Sequence, residues 1–400
     1  MKFEKLGNIC YVRNGYAFKS ELFNDDGVPI IRISDINDNY VTSKNSIRIL
    51  YDKAFEQFKL SKGDILIAMS GATTGKYGIY CSEEIGYQNQ RVGCFVIKDK
   101  AILDNTYLLQ NLKYLKPKIE KKAHGSGQPN ISAKAIEDFE IPLPSLPAQL
   151  HIASLLSKAE SLIAQRKESI RLLDEFLKST FLEMFGDPVR NEKGWKKTKL
   201  SDVCTKIGSG STPNGGKESY HKEGISLIRS LNVHNDEFVY DDLAFIDDKQ
   251  AHELRNVVIE QNDVLLNITG ASVARCCVVP KGILPARVNQ HVSILRPDAN
   301  KLNHLFLSRM FTARAYQLYL IKNAKSKGAT RESITKEYLE MLEIILPPIK
   351  LQNRFAQIVE KTEALKTQYQ QSLLEFENLY GSLSQRAFKG ELTVDKAVSV

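Results

Sequence analysis

The strongest constraint on this chain is that it repeats itself. Gly125 to Gln149, GSGQPNISAKAIEDFEIPLPSLPAQ, aligns without a gap on Gly328 to Gln352, GATRESITKEYLEMLEIILPPIKLQ. Ile131/Ile334, Glu140/Glu343, Pro144/Pro347 and Gln149/Gln352 all stand 203 residues apart. Shorter segments precede them in the same order: LGNICYVRNG from Leu6 answers LSDVCTKIGSG from Leu200, PIIRISDI answers SLIRSLNV, and GDILIAMSGATTGK answers NDVLLNITGASVAR. QNQRVGCFVI (Gln88 to Ile97) likewise answers RVNQHVSILR (Arg287 to Arg296). One unit built twice is implied, and 400 residues is more than a single core usually holds together.

Each unit opens with short β-branched runs such as VPIIRI, GDILIAM, CFVI, DVLLNI and HVSIL, separated by Gly, Asn and Asp, a pattern of strands and turns. Residues 101 to 122 and 301 to 323 have helical spacing, with Leu103, Tyr107, Leu108, Leu112 and Leu115 in one copy and Leu305, Phe306, Met310, Tyr316 and Leu320 in the other. Each globular part is therefore expected to be α+β.

Both units then change character. After Pro147 the chain reaches Phe185 without Gly or Pro, and apolar residues recur at Ile152, Leu155, Ala159, Leu162, Ile170, Leu173, Leu177 and Met184. After Pro348 the same spacing runs through Phe355, Ile358, Leu365, Tyr369, Phe376, Leu379 and Leu383. Alternating steps of three and four predict two long helices with a seam, each of roughly 36 residues and about 54 Å, packed antiparallel. FGDPVRNEKGW (Phe185 to Trp195) reads as a helix stop and linker.

Composition narrows the function. Hydrophobic residues at 42% and charged residues at 26% are ordinary for a soluble globular chain, and a net charge of +8 admits a polyanionic partner. Cys10, Cys81, Cys94, Cys204, Cys276 and Cys277 show no zinc-type spacing, which favours a reducing, intracellular setting without bound metal. No apolar leader and no run of roughly 20 apolar residues is present. Catalytic signatures are missing as well: there is no N-P-P-F or D-P-P-Y, no H-E-x-x-H and no G-x-S-x-G, and the seven histidines are scattered. Gly71 to Lys76 spells G-x-x-x-G-K, one residue short of a phosphate loop and followed by Tyr77 where that loop needs Ser or Thr.

Two similar but diverged domains on a rigid spacer would set two reading surfaces along a duplex, as dimeric DNA binders do with half-sites, and would make the target bipartite and asymmetric. The helix length bounds the separation of half-site centres at roughly one and a half turns of DNA. In SGATTGK with its preceding GDIL, in GSGQPNIS, in IPLPSLPAQ leading into the helix and in MFGDPVRNEKGW after it, the chain resembles the specificity (S) subunit of type I restriction-modification systems. The likeness spans essentially the whole chain.

That resemblance implies an α+β fold of two pseudo-symmetric α/β target-recognition domains joined by two long antiparallel coiled-coil-like helices. The first domain would occupy residues 1–147 and its spacer helix 148–186, followed by a linker at 187–198. The second domain would occupy 199–348, its distal helix 349–389, and a tail 390–400. The resemblance further implies a cytoplasmic, non-catalytic subunit that binds double-stranded DNA and two methylation (M) subunits, with restriction (R) subunits joining through these. No cofactor would be bound by this chain; S-adenosylmethionine, ATP and Mg2+ would sit on the partners. A related two-part restriction system, a coiled-coil scaffold for protein, and a self-sufficient nuclease or methyltransferase are the rival readings. In the second copy ITGASVAR replaces SGATTGK and GATRESIT replaces GSGQPNIS, so DNA contacts there are less defined.

The candidate DNA contacts fall in four groups. Thr73, Thr74, Lys76 and the second copy's Arg275 lie in the turn after GDIL or its counterpart, where they touch phosphate or only shape the turn. Gln88, Asn89, Gln90 and Arg91, answered by Arg287, Asn289, Gln290 and His291, are mostly types that bond purine edges, or else cap turns. Lys118, Lys121 and Lys122, answered by Lys325, Lys327 and Arg331, form basic helix ends for phosphate contact or a solvated face. Ser126, Gln128 and Asn130 occupy the Gly-rich loop itself. Arg32 and Arg229 end strand-like repeats and are more readily structural ion pairs.

Overall fold

The computed structural model describes residues 2–123, 127–213, 216–324 and 333–392. The chain divides into two units, Met1–Lys167 with Ser372–Val400, and Glu168–Gln371. Two helices of 40 residues, Leu146–Phe185 and Ile349–Phe388, run through these divisions, so each unit holds the start of one and the end of the other.

In the first unit the sheet centre is antiparallel, Cys10–Asn14 beside Val92–Ile97 beside Ile65–Ala68, with Cys94 opposite both Arg13 and Leu66. Tyr77–Tyr80 continues it and pairs in parallel with Asn39–Val41. A second sheet brings Val28–Ile31 parallel to Gly86–Gln88. Ile65–Ala68 and Val28–Ile31 are wholly buried, which explains why they read as continuous apolar runs rather than alternating ones. The second unit repeats the plan: Cys204–Ser209, Val292–Pro297, Val264–Asn267 and Cys276–Val278 in one sheet, and Ile225–Ile228 parallel to Ala286–Val288 in another.

A helix then covers each larger sheet. Asn105–Ala123 buries Tyr107, Leu108, Leu112, Leu115 and Ile119. Its counterpart is not one helix but two, His304–Thr312 and Arg314–Ala324. Ala313 adopts an extended conformation (φ −58°, ψ 125°) between them, a break with no Gly or Pro to announce it. Each unit closes on a two-stranded antiparallel pair, Phe3–Lys5 with Glu140–Pro142 and Lys197–Lys199 with Glu343–Ile345. The second of these pairs starts inside the segment expected to be linker.

The duplicated glutamine now has a reason. Gln149 is fully buried in the first turn of its long helix; its side-chain oxygen accepts from the Asp104 N–H (3.0 Å), and its amide donates to the Ile102 (2.8 Å) and Pro144 (2.9 Å) carbonyls. Gln352 does the same with the Asn303 N–H (2.9 Å) and the Pro347 (2.7 Å) and Lys301 (3.3 Å) carbonyls. One side chain thereby satisfies three backbone groups in two segments that meet out of water. A second repeated residue ties each sheet-covering helix to a long helix. Glu160 accepts from Lys113 (2.7 Å) and Tyr380 (2.9 Å), and Glu363 accepts from Arg309 (2.6 Å).

Within each unit the two long-helix segments run antiparallel. In the first, Lys167 Nζ meets Glu377 at 2.8 Å. In the second, Lys366 Nζ meets Asp174 at 2.6 Å and the Phe181 and Phe355 rings pack edge to face at 5.6 Å. Phe185 sits at the centre of an aromatic cluster with Phe306 (4.7 Å) and Phe355 (5.4 Å), while Phe388 lies against Tyr114 (5.1 Å) and Tyr107 (6.1 Å).

Replacing Gln149 with Leu keeps the volume but leaves three backbone groups without partners. We expect Gln149→Leu to lower stability by about 2–4 kcal/mol, given about 1–3 kcal/mol for each orphaned buried group less what water recovers. Urea unfolding measures this; an unchanged midpoint would show that the glutamine does not lock the helix.

Candidate nucleic-acid interface

Four chain segments converge at the end of the first unit's sheets. Ile65–Ala68 runs into Ser70 and the turn Gly71–Thr73, where Gly71 takes a left-handed conformation (φ +78°). The loop after the sheet-covering helix is sewn onto that turn. The Gly71 N–H donates to the Pro129 carbonyl (2.9 Å), the Ile131 N–H to the Met69 carbonyl (2.9 Å), and the Thr74 hydroxyl lies within 2.7 Å of the Gly71 carbonyl and 3.1 Å of the Pro129 carbonyl. The Asn89–Arg91 turn joins from the other side, the Met69 N–H donating to the Arg91 carbonyl (2.9 Å). Arg32 follows Val28–Ile31 beside it, since the Asn89 N–H bonds the Ile31 carbonyl (3.1 Å). A cleft of about 410 Å³ opens between these segments, lined by Ser70, Arg91, Gln128, Pro129 and Asn130.

The second unit is sewn together in the same way. The Ile334 N–H bonds the Ile268 carbonyl (2.8 Å), the Ile268 N–H the His291 carbonyl (3.0 Å), and the Asn289 N–H the Ile228 carbonyl (3.1 Å). Gly270 repeats the left-handed conformation of Gly71 (φ +76°). Ser70 forms a β-bridge with Asn130, and Thr269 forms one with Ser333.

Basic side chains stand at or near both sites. Lys76, Arg91, Lys121 and Arg275 are exposed or half-buried, with no acidic partner among the described residues. The strand Tyr77–Tyr80, rather than a helix, follows Lys76, so the geometry of a phosphate loop does not arise. No group of His, Cys, Asp or Glu among the described residues is placed to hold a metal ion. Burial pushes the Cys10, Cys94, Cys204 and Cys277 thiols up to about 12, which removes them as nucleophiles. No helix among the described residues is long and apolar enough to cross a membrane.

The family model described as the type I restriction modification DNA specificity domain matches residues 1–172 and again residues 192–375. The chain belongs to this family. It is 24% identical over 420 residues to the specificity subunit of type I restriction enzyme EcoBI of Escherichia coli, covering 97% of this chain and 85% of that one. The MjaVIII specificity subunit of Methanocaldococcus jannaschii is 22% identical over 88% of this chain and 80% of its own. Among solved structures, the S subunit from M. genitalium superposes with a TM-score of 0.60 at 16% identity, covering 97% and 96% of the two chains. A chain from a study of assembly and conformational transition in the type I R-M system gives 0.57 at 19% identity, covering 98% of each. The likeness in structure is one of fold: two α/β domains and two long helices. DNA sequence specificity is the function this family carries.

Within the specificity-domain frame, several residues expected at DNA serve the fold instead. Gln88 is fully buried, its amide donating to the Arg13 (2.7 Å) and Val92 (2.8 Å) carbonyls and its oxygen accepting from Arg13 Nε (2.9 Å), so it staples the sheet. Thr74 is spent on the turn described above. Asn289 is buried and its side chain accepts from the His291 N–H (3.0 Å), an Asx turn that sets the loop. Arg287 is half-buried, its guanidinium bonded to the Ala251 (3.2 Å) and Ala286 (3.0 Å) carbonyls, and burial lowers its pKa. Lys118 lies over the Tyr114 ring (5.4 Å), and Lys122 over Phe139 (5.0 Å) while bonding the Ala135 carbonyl (3.3 Å).

The remaining candidates face outward or border the site. Gln90, Arg91, Lys121, Gln128 and Asn130 are exposed; Thr73, Lys76, Asn89 and Arg275 are half-buried. Gln290 is exposed and accepts from the Thr212 hydroxyl. His291 Nδ1 lies 2.6 Å from the Thr269 hydroxyl. Ser126, Lys325, Lys327 and Arg331 lie outside the described residues.

Sequence reasoning passed over Ser70 and Thr269 and ranked Arg32 and Arg229 low. The two arginines occupy the same place in both units, and each leaves an Nε without a hydrogen bond among the described residues, although Arg32 Nε lies 3.8 Å from the Asp35 carboxylate, the structural ion pair expected for it. The signal was present: the dipeptide Ile-Arg recurs at both strand ends. Among the residues of this interface, Gln88→Leu should lower stability by about 1–3 kcal/mol through orphaned carbonyls, whereas Gln90→Ala should stay within about 0.5 kcal/mol of the parent. Thermal unfolding of the two variants separates them, and equal midpoints would contradict the assignment.

Proposed function

We propose that this chain is the non-catalytic subunit that reads an asymmetric bipartite DNA target for a type I modification and restriction assembly. Each unit would present one four-segment site to one half of the target, with Lys76, Lys121 and Arg275 on phosphates and the exposed polar side chains at base edges. The observation that carries this reading is that the same site is built twice from the same backbone hydrogen bonds, yet with different side chains on it. A single symmetric site would need no divergence.

In this reading the long helices hold two methylation subunits, and restriction subunits join through them. Methyl transfer and cleavage, with the S-adenosylmethionine, ATP and Mg2+ they use, belong to those partners, and the assembly works in the cytoplasm. The specificity subunit of a related two-part system would share every feature on this chain and differ only in its partners.

Two measurements test it. The chain assembled with its methylation subunits should modify a split, non-palindromic motif, read by single-molecule methylation sequencing; no modified bases at such a motif would refute the proposal. Lys76→Ala and Lys121→Ala should each weaken duplex binding, reduce the slope of log affinity against log salt by about one, and leave the methylated motif unchanged. A changed motif would move those lysines from phosphate to base contact.

A further inference from the structure

The two units share the site's backbone and most of its side-chain types. Ser70 and Thr269 both offer a hydroxyl, Gly71 and Gly270 the same turn, and Lys76 and Arg275 a cation. Asn89-Gln90 and Asn289-Gln290 are identical, as are Arg32 and Arg229. A residue that is the same in both sites cannot tell two different half-sites apart; it meets what they have in common, the sugar-phosphate frame or a shared base. Discrimination has to come from positions where the backbone is held and the side chain differs.

At the cleft, Arg91/His291 and Asn130/Ser333 meet that condition without being fully buried. The second pair sits in the β-bridges to Ser70 and Thr269, and its backbone shapes the loop. Arg91 and His291 are fixed alike by their carbonyls, which accept from Met69 (2.9 Å) and Ile268 (3.0 Å), and by the turns closed from Val92 to Asn89 (2.9 Å) and from Val292 to Asn289 (3.3 Å). Their side chains differ in what they can offer. Arg91 is exposed on the wall of the 410 Å³ cleft, and among the described residues its guanidinium has no hydrogen-bond or ion-pair partner. His291 is half-buried, and with Nδ1 against the Thr269 hydroxyl it retains one uncommitted ring nitrogen, Nε2.

We infer that this position is the specificity-determining residue of each unit: Arg91 reads a guanine edge through a two-pronged contact in the first half-site, and His291 makes a single hydrogen bond to a base in the second. The inference rests on the DNA-reading role proposed above. The fork of a guanidinium matches guanine O6 and N7 together, which an imidazole with one free ring nitrogen cannot copy. Position 91 therefore sets a stringent base in one half of the target, and position 291 a more permissive one in the other.

The test uses the chain assembled with its methylation subunits, and genomic DNA modified by it is sequenced for methylation. Three variants are compared with the parent. Arg91→His should abolish the preference for guanine at one position of one half-site, by about 10-fold or more, and leave the other half-site untouched. His291→Arg should sharpen one position of the other half-site. Arg91→Ala removes the donor fork altogether, so it should relax the same guanine and leave the other half-site untouched. A motif unchanged in all three, with methylation rates either equal or uniformly lower, overturns the assignment while the DNA-reading role stands. If instead the parent assembly shows no salt-dependent duplex binding and no split motif, it is that role which fails. Should Arg91→His not assemble, Arg91→Ala carries the decision alone, since an alanine that preserves guanine selection excludes reading by Arg91.

Discussion

Neither unit closes its core with its own long helix alone: Ile152 and Leu156, or Phe355 and Val359, enter from the start of the helix that follows its sheets, and the rest comes from the end of the other helix. Phe181 and Phe185 fill the second unit from the end of a helix that starts at Leu146, after the first unit's sheets, and Phe388 fills the first from the end of a helix that starts at Ile349. Removing such aromatic anchors from a core costs about 3–5 kcal/mol each, so the helix ends are as much a part of each core as the strands are. This exchange is why the repeat has to be a whole repeat. A duplicated domain without its helix would leave its neighbour's core open, and a helix without its buried glutamine would have no fixed point of departure. The matching 40-residue lengths follow from the same requirement, because each helix must begin under one unit and finish in the other.

The frame was legible because it obeys spacing. Constant-offset matches placed Gln149 opposite Gln352 and Glu140 opposite Glu343, and threes and fours in the apolar pattern gave both long helices. Such regularities are local and periodic, and burial on one face enforces them. The break at Ala313 was not legible, since Thr312-Ala313-Arg314 carries no residue that stops a helix; the extended conformation there is set by tertiary packing rather than propensity. Gln88 was misread for a related reason. Glutamine at a strand end has the same chemistry whether it faces a base or a backbone, and only the pairing of Cys10–Asn14 with Val92–Ile97 brings the Arg13 carbonyl within its reach. Residue type announces what bonds are available; topology decides who receives them.

That division extends to the site. The bonds that hold the four segments together are almost all backbone to backbone, from Met69 to Arg91, Gly71 to Pro129 and Ile131 to Met69, with counterparts at Ile268, His291 and Ile334. A scaffold built this way is indifferent to most side chains it presents, provided the turn keeps its left-handed glycine and the sheet its buried staple. Side chains on the cleft wall are then free to differ at little cost in stability, because exposed substitutions away from such features shift stability by only about half a kcal/mol. Two copies of one fold can thus diverge in what they read without diverging in how they stand.

The arginines at Arg32 and Arg229 show the other side of that freedom. An Nε without a hydrogen bond in a buried position costs free energy in the unbound protein, and it recurs in both units at the same place, offset in part at Arg32 by the Asp35 carboxylate 3.8 Å away. Stability alone would favour a residue that avoids it. Keeping a guanidinium there is reasonable where an anion shared by both half-sites completes it, and the phosphate backbone is the one feature of DNA that does not vary with sequence. In the proposed reading the interface is ordered by chemistry: identical cations would meet the constant part of the duplex, and the unlike pair Arg91 and His291 would stand where the sequence can vary.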